Sequence, residues 1–191
     1  MSLILGLDAA TTTGFAYYHD DRSLSAMEVG TLRAKGDSFE DKASYLGREL
    51  LIMCRRQRPD FIAIEQPLRM LPGGKRTVKF MGEEEEVSGA GGGTNALILS
   101  NQIVSAYCTA ARIKDIPFIL ISSATWRKQF LGFGRKPGWV RKDWKKAARD
   151  RCADLKITVT NDDMADAVGV AFAAAAAPEL KMMKHKIGAA A

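Results

Sequence analysis

The chain has 191 residues, 47% of them hydrophobic and 26% charged, and its formal net charge is +6. This length predicts a single domain over residues 1–191, and no stretch is apolar enough to span a bilayer, which argues against a membrane protein. Because no basic segment precedes the first apolar run, we expect no secretory signal and predict a cytoplasmic protein. The three cysteines are widely spaced, so we expect reduced, buried thiols rather than disulfides or a zinc site.

The first third of the chain predicts a meander of strands followed by a helix. Apolar runs separated by polar turns place three strands over residues 3–7, 14–18 and 27–32. Ser38 and Asp41 have the spacing of a capping box, and apolar residues then recur at helical spacing as far as Cys54. Residues 60–65 form a short apolar run that closes on a carboxylate, as a central parallel strand does.

The remainder predicts one more strand and several helices. Residues 67–94 are rich in glycine and charge and lack periodicity, which predicts a long mobile loop. Apolar spacing then predicts, in order, a helix over 96–113, a strand over 117–121, a polar passage, and helices over 139–155 and 163–177. The tail after Pro178 is expected to fray. These elements predict an α/β fold with a mixed five-stranded sheet flanked by helices.

Three carboxylates lie where predicted buried elements begin or end rather than in surface charge runs. Asp8 ends the first strand, Glu65 ends the fourth, and Asp166 lies within a helix of small and apolar residues. Isolated charges are costly to bury, so such groups are usually paired, protonated or bound to a metal ion. Asp162 and Asp163 both share a helix face with Asp166, and spacing alone does not choose between them.

Each acidic position also has a purely structural interpretation. Asp8 could cap a turn, and Glu65 could pair with an arginine such as Arg69. The helix dipole stabilises acids in a first turn, which would account for Asp162 and Asp163 but not for the third acid deeper in that helix.

Positive charge is concentrated in one segment. Ten basic residues and two acidic ones lie between Arg127 and Arg151, which leaves the rest of the chain slightly negative. Such a stripe is typical of a protein that binds a polyanion, although a solvated helix face has the same composition. If the partner is DNA, we expect phosphate contacts from Arg141, Lys142, Lys145, Lys146 and Arg149.

Three acidic segments resemble the motifs of a known family. They are Leu5-Gly6-Leu7-Asp8 with Thr13-Gly14 after it, Ile62-Ala63-Ile64-Glu65-Gln66, and Asp163-Met164-Ala165-Asp166-Ala167. In order and spacing they are similar to the successive acidic motifs of RuvC-type Holliday junction resolvases, particularly divergent phage and prophage members. The resemblance runs from about residue 3 to residue 175.

The resemblance implies a ribonuclease H-like fold, a homodimer, and an endonuclease that resolves branched DNA, the four-way Holliday junction, by paired nicks. It implies that Asp8, Glu65, Asp163 and Asp166 are the catalytic carboxylates and bind two Mg²⁺ ions, for which Mn²⁺ can substitute. No nucleotide cofactor is expected. Carboxylates supply the hard oxygen ligands that Mg²⁺ prefers, and two such ions can stabilise both the attacking and the departing oxygen.

The chain also departs from the family pattern. Ala9-Ala10 replaces the usual Pro-Gly after the first aspartate, and Leu68 stands where bacterial members carry an aromatic wedge. The insertion at 72–93 has no simple counterpart, and its Phe80 is a candidate replacement for the wedge. Members of the family carry a basic residue that assists catalysis. Three residues of this chain lie near its position, and the resemblance does not choose among them: Lys142, Lys145 and Lys146.

Other functions fit parts of the sequence. A nuclease of this fold could act on flaps, replication forks or RNA hybrids, and a DNA-binding protein could keep the fold without catalysis. An actin-like or sugar-kinase-like phosphotransferase is a further alternative, because the residues from Thr11 to Gly14 resemble the first phosphate loop of that superfamily. Those enzymes close two such domains around ATP. The 191 residues of this chain are enough for only one of them.

Overall fold

The computed structural model of the chain describes residues 1–67, 75–80, 83–88 and 94–189, with side chains described over 1–67 and 94–185. The described strands are β1 (Leu3–Asp8), β2 (Thr12–His19), β3 (Glu28–Arg33), β4 (Phe61–Glu65), β5 (Lys75–Phe80), β6 (Glu83–Ser88) and β7 (Phe118–Ile121). The described helices are α1 (Phe39–Arg56), α2 (Thr94–Ile113), α3 (Ser123–Leu131), α4 (Arg141–Asp154), α5 (Asp162–Ala175) and α6 (Pro178–Ala189).

Five strands form the main sheet in the order β3-β2-β1-β4-β7. The strands β1, β2 and β3 pair antiparallel, whereas β4 lies parallel to both β1 and β7. The predicted α/β fold with a mixed five-stranded sheet is therefore confirmed. Within the described part of the chain, no helix is long and apolar enough to cross a membrane.

The sheet separates two hydrophobic cores. Side chains of a strand point alternately to its two faces, so the neighbours Ile4 and Leu5 contribute to different cores. Ile4 and Ala63 face the core that α3, α4 and α5 cover, whereas Leu5 and Ile62 face the core that α1 and α2 cover. Both faces are covered by helices, which explains why β1 and β4 read as continuous apolar runs.

The predicted capping box at the start of α1 is confirmed. The Asp41 backbone N–H donates to Ser38 Oγ at 3.0 Å, and the Ser38 N–H donates to Asp41 Oδ2 at 3.3 Å. The thiols Cys54 and Cys152 are free and buried as expected, whereas Cys108 is free and only partly buried.

The structure has regular elements in three segments where the sequence did not indicate them. The predicted loop over 67–94 contains β5 and β6, which pair antiparallel from Lys75 opposite Ser88 to Phe80 opposite Glu83. The polar passage after β7 contains α3, and the tail that was expected to fray forms α6, which begins at Pro178 and buries Leu180 completely. The side chains of Leu68, at the position of the family's wedge, and of the candidate replacement Phe80 lie outside the described residues.

Candidate active site

The sheet places Asp8 and Glu65 side by side. The strands β1 and β4 are parallel neighbours, with Leu7 opposite Ile64, and each ends at the next residue along the chain. Carboxyl ends of adjacent parallel strands share one edge of the sheet. The two carboxylates predicted from distant parts of the sequence therefore meet at that edge.

Close packing of α5 against β1 and β2 adds Asp166 to this pair. A Cβ at Gly6 would lie 2.6 Å from the Ala167 carbonyl oxygen, and a Cβ at Gly14 would lie 1.8 Å from the Asp163 carbonyl oxygen. Only glycine permits such an approach of helix to strand. The glycines of the first acidic motif thus bring the acids of the third motif to the sheet edge.

Asp8, Glu65 and Asp166 form a compact cluster among the described residues. Each provides a carboxylate oxygen, and these oxygens lie within 4.8 Å of one another. Asp166 is only 5% exposed. The cluster opens into a cleft of about 320 Å³ that Asp163 also lines, but Asp163 does not join the three converging oxygens.

Crowding of negative charge in this buried place alters the protonation of the acids. Burial, followed by the fields of Glu65 and Asp166, raises the pKa of Asp8 well above its usual range. Burial also raises the pKa of Asp166 to about 6, although the neighbouring Lys145 ammonium acts in the opposite direction. Both acids therefore retain their protons to a higher pH than an ordinary carboxyl group does.

Lys145 reaches into the cleft from α4. Its Nζ donates to Asp166 Oδ2 at 2.5 Å and lies 3.8 Å from Asp163 Oδ1. Burial alone would lower the pKa of Lys145, but the fields of Asp166, Asp8 and Asp163 and the hydrogen bond to Asp166 outweigh it and raise that pKa. This lysine is therefore a cation of the carboxylate cluster rather than an exposed residue of the helix surface.

Two residues that the sequence analysis did not select hold Glu65 in place. Ser123 Oγ donates a short hydrogen bond to Glu65 Oε1, and Trp126 Nε1 donates to the same oxygen at 3.2 Å. Both donors lie on α3, the helix that the sequence analysis missed. The alternative partner Arg69 lies outside the described residues. These two donors fix the orientation of the Glu65 carboxylate.

A buried hydrogen-bond chain fixes the turn after Asp8. The hydroxyl of Tyr107 on α2 donates to Thr13 Oγ1 at 2.8 Å, and Thr13 Oγ1 donates to the Ala10 carbonyl oxygen at 2.7 Å. Tyr107 and Thr13 are both fully buried. The Ala9-Ala10 turn, which departs from the family pattern, is thus tied to the helix layer beneath it.

The remaining predicted residues lie around the cleft. Asp162, the alternative to Asp163, does not line the cleft, and its Oδ1 lies 3.2 Å from Arg149 Nε. The N-cap of α5 is Asn161, whose Oδ1 accepts from the Met164 N–H at 2.9 Å. Arg141 lines the cleft and Lys142 is exposed.

Lys146 lies on the outer side of α4. Its Nζ is 2.6 Å from Asp150 Oδ2, and its side chain is 71% exposed. The predicted basic row is therefore divided between the cleft, where Arg141 and Lys145 lie, and the outer surface of the helix, where Lys142, Lys146 and Arg149 lie.

Comparisons with known proteins give matches to solved structures alone. No protein-family model and no curated sequence matches the chain. The chain is similar to Thermus thermophilus RuvC, with a TM-score of 0.57 and 15% identity over 90% of this chain and 92% of the other. It is also similar to T. thermophilus RuvC in complex with a Holliday junction substrate, with a TM-score of 0.63 and 13% identity over 91% of this chain and 92% of the other. A third similar structure is the yeast mitochondrial Holliday junction resolvase, with a TM-score of 0.50 and 12% identity over 91% of this chain and 79% of the other. Over about nine-tenths of its length, the chain has the fold of the RuvC-type Holliday junction resolvases.

Proposed function

We propose that the chain is a metal-dependent endonuclease that cleaves branched DNA, with the four-way junction as its principal substrate. The observation that carries the proposal is the convergence of Asp8, Glu65 and Asp166 at one sheet edge, because no packing requirement brings three carboxylates together when one is buried and two are partly buried. Similarity to a RuvC structure that holds a Holliday junction supports the choice of substrate. A cleavage assay on synthetic junctions with and without Mg²⁺ tests it.

The composition of the cluster fits divalent cations. Asp8, Glu65 and Asp166 would hold the metal, with Asp163 as a fourth ligand at the rim of the cleft. Mg²⁺ prefers carboxylate oxygens, with Mn²⁺ as a substitute, and a bound pair supplies an activated water and charge neutralisation at the phosphate. The raised pKa values of Asp8 and Asp166 support this assignment, because a bound cation would offset both the burial and the neighbouring negative charges that raise them.

Lys145 is the lysine that we assign to the reaction. It is the one of the three candidates that contacts the carboxylate cluster, since Lys142 is exposed and Lys146 pairs with Asp150. In the absence of substrate its ammonium neutralises part of the cluster. Beside a bound phosphodiester, the same ammonium would stabilise the negative charge that develops on the phosphoryl oxygens.

We expect Lys145→Met to lower the cleavage rate by about 10- to 100-fold, because a preorganised cation beside the reacting phosphate is lost. Junction affinity should change little, since Lys145 is largely buried and contacts the acids instead of the outer surface. Single-turnover cleavage and a gel-shift titration measure the two effects separately. Lys142→Met, an exposed position on the same helix, is the matched control, and equal losses for both variants would contradict the assignment.

Ser123 is a positioning residue for Glu65. Loss of a hydrogen bond that orients a metal ligand typically costs 10- to 100-fold in metal affinity or activity, so Ser123→Ala should raise the Mg²⁺ concentration for half-maximal cleavage by about tenfold. Saturating Mg²⁺ should restore much of the rate, which loss of the fold would not allow. An unchanged Mg²⁺ dependence would mean that Trp126 alone suffices to hold Glu65.

The outer face of α4 would contact the DNA backbone. Lys142, Lys146 and Arg149 lie on its exposed surface, and their local ion pairs are too solvent-exposed to prevent phosphate binding. Replacing all three by Ala should reduce the slope of log affinity against log salt by about 0.9 for each lost phosphate contact. Fluorescence anisotropy of junction binding over a salt series measures that slope, and an unchanged slope would place the DNA elsewhere.

Assembly as a homodimer is part of the proposal. Two nicks at symmetric positions of a junction require two active sites, and an isologous twofold dimer supplies them in the matching arrangement. No nucleotide cofactor enters this scheme.

A further inference from the structure

Three aromatic side chains form a cluster that belongs to neither hydrophobic core. The ring centroids of Phe133 and Trp139 lie 5.2 Å apart, those of Trp139 and Trp144 lie 5.0 Å apart, and those of Phe133 and Trp144 lie 5.8 Å apart. All three side chains are only partly buried, and none is a member of the cores on either side of the sheet. These large aromatic side chains remain in contact with solvent and lie in a basic segment. Such exposed apolar clusters often mark a binding site, because core packing does not account for them.

Cations cover the rings of this aromatic cluster. Lys136 Nζ lies 4.2 Å from the centroid of Trp139 and 5.1 Å from that of Phe133. The Arg127 guanidinium carbon lies 4.7 Å from the centroid of Trp144. Exposed Arg135 precedes Lys136, so the cluster combines aromatic faces with positive charge. Proteins that bind single-stranded DNA combine these two features, since cations track the backbone while bases stack on the rings.

The aromatic cluster borders the carboxylate cleft. Arg127 belongs to both, because it lines the cleft and lies over Trp144. The residue after Trp144 is Lys145, whose ammonium contacts Asp166. Within the described residues, Arg127 Nε is buried and has no hydrogen-bond partner. Its N–H is therefore a donor that could bind a phosphate oxygen. A strand whose scissile phosphate lies in the cleft would pass directly beside the rings.

We propose that Phe133, Trp139 and Trp144 form a binding subsite for an unpaired DNA base next to the cleavage site. The inference rests on the proposed function and adds the feature of the substrate that this surface recognises. A base inside a duplex has both faces stacked on its neighbours, whereas a base at a branch point can leave the stack and lie on an aromatic ring. The aromatic cluster thus favours branched DNA over a continuous duplex without reading its sequence.

Photo-crosslinking tests the location of the unpaired base. The Asp8→Asn variant, expected to bind without cutting, is mixed with a four-way junction that carries 5-iododeoxyuridine at an unpaired branch nucleotide. Irradiation should crosslink that base to the peptide that contains residues 133–144. The same samples give junction affinity by gel shift. Absence of junction binding would overturn the proposed function and this inference together, whereas normal binding with a crosslink elsewhere would overturn the inference alone.

Substitution tests the energetic role of the aromatic cluster. Trp139→Ala should bind a junction with unpaired branch nucleotides about tenfold more weakly, the size expected from one lost base–aromatic stack, while Trp139→Phe should retain most of the affinity. Affinity for a fully paired duplex should not change. Tyr45→Ala is the matched control, because Lys35 and Arg48 lie over that ring on the α1 side of the sheet. Equal losses on junction and duplex, or the same loss for Tyr45→Ala, would overturn the proposal.

Discussion

Asp8→Asn is expected to reduce cleavage of a four-way junction by about three orders of magnitude or more. The carboxylate oxygen of Asp8 lies within 4.8 Å of those of Glu65 and Asp166, and both neighbours act on it electrostatically, so the amide would replace a carboxylate that belongs to the cluster. Loss of a metal ligand removes several kcal/mol of transition-state stabilisation, and each 1.36 kcal/mol corresponds to a factor of ten in rate. Asp166→Asn should have an effect of similar size.

Junction binding should persist in the same variants, because phosphate contacts come from residues outside the cluster and removal of a negative charge favours a polyanion. Single-turnover cleavage and gel-shift affinity, measured on the same preparations, separate the two effects. Asp162→Asn is the matched control, since it changes the same chemical group on the same helix outside the cleft. Normal cleavage by Asp8→Asn would remove the basis of the site assignment.

Asp8→Asn is also expected to stabilise the metal-free protein at neutral pH. Burial and the neighbouring acids raise the pKa of Asp8 above its unfolded value, so the folded state binds more protons than the unfolded state. The fold is therefore destabilised increasingly as the pH rises above the unfolded pKa of about 3.9, and the penalty reaches its full size once the pH exceeds the folded-state pKa of Asp8. Asp166, whose pKa is raised to about 6, makes a penalty of the same sign that grows between about pH 4 and pH 6 and is fully present at higher pH.

Thermal unfolding without metal should show Tm higher by about 3 °C or more in Asp8→Asn than in the wild type at pH 7, with a difference that shrinks toward pH 4. Addition of Mg²⁺ at about 100 times its dissociation constant should stabilise the wild type by about 2.7 kcal/mol. The variant should gain far less. Equal stabilisation of both proteins by Mg²⁺, or a variant less stable than the wild type at pH 7, would contradict a cation site at this cluster.

The acids of the site could be predicted because each ends or interrupts an apolar run. Asp8 and Glu65 close the two central strands, and the parallel register then makes them neighbours. Asp166 stands out in sequence because a helix that is otherwise small and apolar has no other use for a carboxylate. The fold class followed from the order of the predicted elements, because a meander of strands followed by alternating helices and strands indicates an α/β architecture.

The residues that support the site could not be predicted in this way. Ser123 and Trp126 lie on α3, a short helix of mixed composition whose local signals are the cap Ser122, which accepts from the Thr125 N–H at 3.2 Å, and the left-handed Gly132 at its end. Their partner Glu65 is 58 residues away from Ser123 in the chain, so only the packed structure pairs them. The choice of Lys145 among three lysines likewise depends on how α4 packs against α5.

The strands β5 and β6 were missed for a different reason. The strand β6 begins with four glutamates, and three of the six residues of β5 are basic, so their composition did not mark either segment as a strand. The glycine-rich residues around them strengthened the prediction of a loop.

The most direct test of the central claim is a cleavage assay of the wild-type protein on a synthetic four-way junction, with a linear duplex, a fork and an RNA–DNA hybrid in parallel, in Mg²⁺ and in EDTA. The carboxylate cluster and its fold predict paired nicks at symmetric positions of the junction, in the presence of Mg²⁺ alone, with the other substrates cut much more slowly. Absence of cleavage of every substrate with both Mg²⁺ and Mn²⁺, or cleavage that continues in EDTA, would contradict it.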